Sequence, residues 1–282
     1  MREDWSTVIE PREGFFHLGL KELWAKKYLL WLFVRRDLTV KFKQTVFGFA
    51  WYVISPLIST LIYIVIFGKI AGIPTDQIPQ PLFYLSGICL WNYFSQCFTK
   101  VAGTFSTEAS IYGKVYFPRL LSPVSYLFSF LIKFAVQLLT LAIMYIWYVT
   151  AGGLELRPNL YLLLFPVLVA LLAGIAFGLG LIFTSLTTKY RDLRNFLGVF
   201  VSLWMYATPI VYPMSAITAP ALKRAMQLNP LSALVESFRY GLFGAGEMSW
   251  AGLGYSAAVA LVLCLTGILL FNRKQKAFID TI

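Results

Sequence analysis

Carboxylates and imidazoles are scarce in this chain. Thirteen Asp and Glu residues and one histidine serve 282 positions. Six of the acids (Glu3, Asp4, Glu10, Glu13, Glu22, Asp37) fall before position 47. The others (Asp76, Glu108, Glu155, Asp192, Glu236, Glu247, Asp280) fall in connecting segments, in the moderately apolar stretch 216–244, or near the C-terminus. None sits at the centre of a long apolar run. A proton-coupled carrier or a membrane-embedded acid–base enzyme places such groups inside the bilayer, so neither class has candidates here. His17 alone builds no metal centre, and no nucleophile–base pair presents itself. Cysteine is sparse too: Cys89, Cys97 and Cys264 all lie in apolar runs without a CxxC spacing. They read as small buried hydrophobes, not as ligands or disulfide partners.

Charge of either sign is low, at 13% of residues against about 25% in soluble domains. Hydrophobic residues reach 59%. They gather in six runs, near 47–70, 81–102, 121–149, 159–186, 195–215 and 250–271. About 20 apolar residues in a helix cross the hydrocarbon core, so the runs predict an all-α integral membrane protein with six spans. The remainder has no room for a nucleotide-binding fold. Residues 1–27 mix acids and bases without a leading apolar core, so the N-terminal segment is expected to be retained.

The net charge of +11 is spread unevenly. Nine Lys and Arg fall in 1–46, and three each in 100–120, 187–194 and 272–282. Lys69, Arg157, Lys223, Arg224 and Arg239 fall on the opposite side, and Lys133 within a span. The positive-inside rule then puts both termini in the cytoplasm and argues against nucleic acid as the partner of this charge.

Between the spans several segments stand out. Over 20–44, Leu20, Trp24, Tyr28, Trp31, Leu38 and Phe42 form a helical stripe interrupted by Arg35, with most charges off it. Its uninterrupted apolar run, Tyr28–Val34, is too short to span. An amphipathic helix in the cytoplasmic interface is expected, and packing on a partner at a pore entrance is the alternative. Ser55–Pro56 predicts a kink in the first span. At 103–120, Ser106–Thr107 can cap a short helix whose positive N-terminus Glu108 would favour. Gly113 and Pro118 would end it, leaving Tyr112, Lys114 and Tyr116 exposed. That segment is a solvated loop or a docking element. The stretch 216–244 holds Lys223, Arg224, Asn229–Pro230, Glu236 and Arg239 and cannot span cleanly. Two short helices that dip into the external leaflet and return suit it better.

Two features bear on cargo. Lys133 lies about 18 Å along the third span. It either snorkels or pairs within the bundle, or it touches an anionic substrate. Trp51, Tyr52, Tyr63, Trp204 and Tyr206 are belt and packing residues, or rings on which sugars stack along a conduit.

Five segments in order, RRDLTVKFKQTVFGFAWYVISPL (35–57), KVYFPRLLSPVS (114–125), KYRDLRNF (189–196), ATPIVYP (207–213) and NPLSALVESFRYGLFG (229–244), resemble the membrane-spanning permease subunit of type-2 ABC polysaccharide exporters. The nearest likeness is to O-antigen permeases, with teichoic acid and capsule permeases as relatives. The resemblance implies a cytoplasmic segment 1–46 carrying a gate helix (Trp24, Tyr28, Trp31, Arg35, Arg36) and a six-helix transmembrane domain over 47–271. Within it would lie a coupling helix at 105–117 and re-entrant helices at 216–244 that shape the exit; a cytoplasmic tail, 272–282, would follow. Glu108, Tyr112, Lys114, Arg191 and Asp192 would face two ATP-binding cassette subunits, which would carry ATP and Mg while this chain binds no cofactor itself. A homodimer in the bacterial inner membrane would pass undecaprenyl-linked polysaccharide between spans one and five of each copy. The alternatives are a membrane-embedded transferase on lipid-linked sugars, disfavoured by the lack of acid pairs, and a secondary transporter, disfavoured by the lack of repeats.

Overall fold

A computed structural model describes residues 24–42, 47–112, 117–151, 158–187 and 192–279. Among these residues there are helices and turns but no strand. In order, they are α1 (Lys27–Phe42), α2 (Trp51–Tyr63), α3 (Gln80–Ala102), α4 (Thr104–Thr107), α5 (Ala109–Tyr112), α6 (Leu121–Ala151), α7 (Phe165–Thr187), α8 (Asp192–Tyr206), α9 (Pro220–Gln227), α10 (Pro230–Phe243) and α11 (Trp250–Ile279). Short 3-10 turns lead into α2 at Gly48–Ala50 and into α7 at Leu160–Leu164.

Among the described residues, four helices are long and apolar enough to cross a membrane: Gly48–Ile70, Leu121–Ala151, Leu160–Thr187 and Trp250–Lys274. The other two expected spans differ for physical reasons. α3 has the length, but it carries Ser86, Asn92, Ser95 and Gln96. It can do so because it is the central helix, wrapped by α2, α6 and α7. Phe83, Tyr84, Phe94 and Phe98 on it are fully buried. α8 ends at Tyr206, short of the expected 215, because Pro209 cannot continue a helix and the chain turns there.

The first span also departs from a plain α-helix. Pro56 sits inside α2, and Thr60 Oγ1 donates to the Pro56 carbonyl at 2.8 Å. The last seven residues, Ile64–Ile70, widen to a π-helix. Gly68 lies in that stretch against the Gln80 side chain, where an added Cβ would stand 2.6 Å from Oε1.

The most extensive helix pair among the described residues is α7 on α11. Small residues make it possible: a Cβ on Gly267 would lie 2.6 Å from the Gly178 carbonyl, and one on Gly178 would collide with the Leu263–Cys264 backbone. Backbones that approach this closely gain the dispersion contacts that hold helices together where lipid offers no hydrophobic drive. The stretch 216–244 contains two helices, as expected. Asn229 caps α10 by accepting from the Leu231 N–H at 3.1 Å, with Pro230 at the first helical position. Gly244 ends α10 at φ +71°, a left-handed conformation that glycine adopts without a Cβ clash.

Candidate functional site

Polar side chains gather at the two ends of α3, roughly 30 Å apart by helix rise. At its C-terminal end α1, α4, α5 and the start of α6 meet. α1 turns Phe33 and Val34 inward, at 7% and 1% exposure, to pack on α6 and Phe117. The aromatic stripe read from the sequence faces the other way: Trp24, Tyr28 and Trp31 are all exposed, and so is Arg35. The helix thus has two apolar faces, one packed on the bundle and one exposed.

Arg36 follows the inward face. Its Nη1 and Nη2 donate to the two carboxylate oxygens of Glu108 at 3.0 and 2.7 Å. Its Nε and Nη2 also reach Asp37 Oδ1 at 3.0 and 2.9 Å. Tyr126 of α6 donates to Glu108 at 2.6 Å. The guanidinium lies 4.5 Å from the Phe33 ring centroid. Burial pushes the Glu108 carboxyl up, but the hydrogen bonds from Arg36 and Tyr126 outweigh it and hold it below its ordinary value. Burial lowers the Arg36 guanidinium, and its bonds to Glu108 and Asp37 more than restore it. One carboxylate therefore ties three elements together: α1, the α4–α5 turn and α6.

This placement corrects the expectation for 105–117. There are two single helical turns, not one helix beginning after Ser106–Thr107, and the break falls at Glu108. Glu108 is 2% exposed and points into the bundle rather than supporting a helix N-terminus. Tyr112 is buried, not exposed. Its hydroxyl donates to the Arg119 carbonyl at 3.2 Å, and its ring packs on Phe105 and Phe117. Burial pushes its phenol up. The outward face of the turn is Ser106, Thr107 and Ser110. Phe105 stacks on Phe271 of α11 with centroids 4.6 Å apart, a second link from this turn into the bundle. Asp192 is exposed in the first turn of α8. Lys114, Tyr116 and Arg191 lie outside the described residues.

The opposite end is organised by Arg239 of α10, 1% exposed. Nη1 donates to the Pro209 carbonyl at 2.6 Å, and Nη2 to the Ile210 and Phe83 carbonyls at 2.7 and 3.3 Å. The guanidinium lies 3.7 Å from the Phe83 ring centroid, and Glu236 Oε1 is 3.6 Å from Nη1. Asn229 Nδ2 adds bonds to the Ala207 carbonyl at 2.7 Å and Thr208 Oγ1 at 2.9 Å. The turn ATPIVYP is thereby pinned to α3 and α10. In the sequence Arg239 stands out only as a charge on the side opposite the basic termini. The available signal was a Glu and an Arg three apart in an apolar helix, where each side chain needs a buried partner.

The conduit candidates divide. Trp51 and Tyr206 are exposed at 43% and 51%. Tyr52 is 7% exposed. Tyr63 donates to Met205 Sδ at 3.2 Å across α2 and α8, and Trp204 packs edge-on against Phe94 at 5.1 Å. Lys133 donates to Gln96 Oε1 at 2.8 Å and lies 5.1 Å from the Tyr52 ring centroid, so it is paired within the bundle.

Comparison with known proteins gives this architecture its relatives. The family model for the ABC-2 type transporter matches residues 28–243. The chain is 28% identical to the O-antigen export system permease protein RfbA of Klebsiella pneumoniae, over 89% of this chain and 94% of that protein. It is 27% identical to the protein of the same name from Myxococcus xanthus, over 93% and 98%. It is 24% identical to the polysialic acid transport protein KpsM of Escherichia coli, over 87% and 93%.

Proposed function

We propose that this chain, which belongs to the ABC-2 type transporter family, is the permease of an exporter that carries lipid-linked polysaccharide, O-antigen above all, across the bacterial inner membrane. The observation that carries the reading is the end-to-end similarity to two O-antigen export permeases. Capsular polysaccharide is the second reading, favoured by the similarity to KpsM.

The working unit in this reading is a homodimer with two ATP-hydrolysing subunits beneath it. α3 and α8 complete six crossings with the four long apolar helices. α9 and α10 enter the outer leaflet and return. ATP binding closes the cytoplasmic subunits, which press on the turn formed by α4 and α5. Glu108 passes that movement to α1 through Arg36, and Phe105 passes it to α11 through Phe271. α1 then acts as the gate: its exposed Trp24, Tyr28 and Trp31 keep it at the headgroup level, where a lipid-linked cargo arrives. The bundle has two states, and the docked subunits bias the choice between them. Exposed rings at Trp51 and Tyr206 offer stacking faces to sugars along α2 and α8.

The test is reconstitution of the chain with its ATPase subunit in sealed vesicles loaded on one side with undecaprenyl-linked polymer. Polymer should cross only with ATP, and an ATPase subunit unable to hydrolyse should abolish transfer. Transfer by this chain alone would overturn the reading.

A further inference from the structure

The loop between the first span and α3 holds a strained turn that the export mechanism above does not use. Ile78 N–H donates to the Thr75 carbonyl at 2.9 Å and closes a four-residue turn. Its two central residues are left-handed, Asp76 at φ +49° and Gln77 at φ +64°. Glycine and asparagine suit such a turn. Asp tolerates the conformation, but Gln adopts it only against the clash of its Cβ with the backbone. Among the described residues no other non-glycine residue has a positive φ.

Strain of this kind persists only where surrounding contacts hold it. Within the loop, Thr75 Oγ1 donates to the Ile78 carbonyl at 2.6 Å, and the Ile78 side chain is buried in the core. The remaining contact reaches a distant part of the chain: Ser215 Oγ donates to Asp76 Oδ1 at 2.5 Å. Ser215 lies in the 3-10 turn Met214–Ala216, just after the stretch bound by Arg239. Ser215 and Gln77 are both exposed, so this clasp can part without opening the core.

The clasp joins the two walls of a groove of about 540 Å³. One wall is Ala71–Pro74, and the other includes Tyr206, Tyr212 and Ile217. The first wall has the parts of a hinge. It follows the π-helical stretch Ile64–Ile70, a form found mostly at functional sites. Gly72 stands at φ +64°, where an added Cβ would meet nothing within 4 Å. Its glycine therefore serves backbone freedom and not space.

We propose that Ala71–Gln77 is a strap with two positions. Clasped by Ser215, it holds the Ile70 end of the first span against the turn at 212–217. Unclasped, Asp76 and Gln77 leave the left-handed region, the strap swings on Gly72, and the groove widens. Ile78 stays anchored in both positions. The strap's purpose, making room for a passing chain, rests on the export reading; its two positions do not.

The test has two arms. In the first, the full chain in nanodiscs, without an ATPase subunit, is followed by hydrogen-exchange mass spectrometry of peptides covering 71–79. Ser215→Ala removes only the clasp and should raise exchange there about ten-fold, as expected for a hydrogen bond to a charged group. Ser215→Thr keeps the hydroxyl and should restore protection. Gln77→Gly keeps the clasp, relieves the strain of the closed turn, and should lower exchange about five-fold. In the second arm, Asp76→Cys/Ser215→Cys is joined by a short bis-methanethiosulfonate linker and reconstituted with the ATPase subunit. Polymer export should fall at least about ten-fold and return on reduction, while wild type treated alike, with its own Cys89, Cys97 and Cys264, keeps its rate. Unchanged exchange in Ser215→Ala, faster exchange in Gln77→Gly, or full export by the linked chain would overturn the strap. Both exchange shifts in a wild-type background that exports nothing would support the two positions and remove the export reading.

Discussion

Replacing Glu108 with Gln should loosen α1 from the α4–α5 turn without emptying the space between them. The carboxylate accepts two bonds from Arg36 and one from Tyr126, at 2.6 to 3.0 Å. Hydrogen bonds to charged groups contribute about 1.5–3 kcal/mol each. The Arg36 side chain is 33% exposed, so water screens part of its share. Gln keeps one acceptor oxygen, and the expected net loss is about 2 kcal/mol. Arg36→Met should cost more, about 3 kcal/mol, because it strands a carboxylate that is 2% exposed. At about 2–4 °C per kcal/mol for chains of this order of size, Glu108→Gln should lower the melting temperature of the purified protein by about 4–8 °C. The double variant should lose less than the sum of the singles by at least about 1 kcal/mol, since each single change already breaks the shared pair. In the reconstituted complex, both variants should hydrolyse ATP at a higher ratio to polymer moved. Single-variant losses that add within about 0.5 kcal/mol, together with unchanged coupling, would refute the latch.

Three further outcomes follow from the same geometry. Arg239→Met should destabilise by about 3–5 kcal/mol, seen as a fall in yield and melting temperature, because the Pro209 and Ile210 carbonyls and Glu236 lose their cation together. Gly267→Ala should cost about 1–3 kcal/mol by forcing α7 and α11 apart, whereas Gly254→Ala, where a Cβ meets nothing within 4 Å, should leave the melting temperature unchanged. Acid should erase the contribution of Glu108. Its carboxyl titrates below its unfolded value of 4.5, so its stabilisation is fully present above about pH 4.5 and fades as pH falls through the lower folded value. The melting-temperature gap between wild type and Glu108→Gln should therefore be constant from pH 7 to 5 and shrink below pH 4.

The long apolar runs were legible because hydrocarbon thickness sets a length that composition must meet. Thus Leu121–Ala151 and Trp250–Lys274 emerged close to their expected bounds. The paired helices α9 and α10 were legible because Lys223, Arg224, Asn229–Pro230, Glu236 and Arg239 keep the stretch 216–244 from spanning cleanly. The interior of the site was not. Glu108 looked like a favourable charge at a helix start because local rules cannot see Arg36, 72 positions away. The stripe Trp24–Tyr28–Trp31 was read as the one apolar face of its helix, yet Phe33 and Val34 pack the bundle. A helical wheel cannot say which of two apolar faces meets protein. For Trp204 and Tyr63 the sequence leaves packing and sugar stacking both open, because an aromatic residue facing other aromatics has the same signature as one lining a pore. The similarity of segments such as ATPIVYP to a family located the Arg239 region without revealing that one guanidinium organises it.

That guanidinium has a mechanical corollary. Three separate stretches, the beginning of α3, the turn at 208–211 and α10, hang from one buried cation through short bonds to Phe83, Pro209 and Ile210. Such a keystone cannot open by degrees: prying any stretch loose exposes every other bond at once. The end of the bundle gathered around Arg239 therefore moves as a single rigid slab, and any bending of the chain is left to the opposite end.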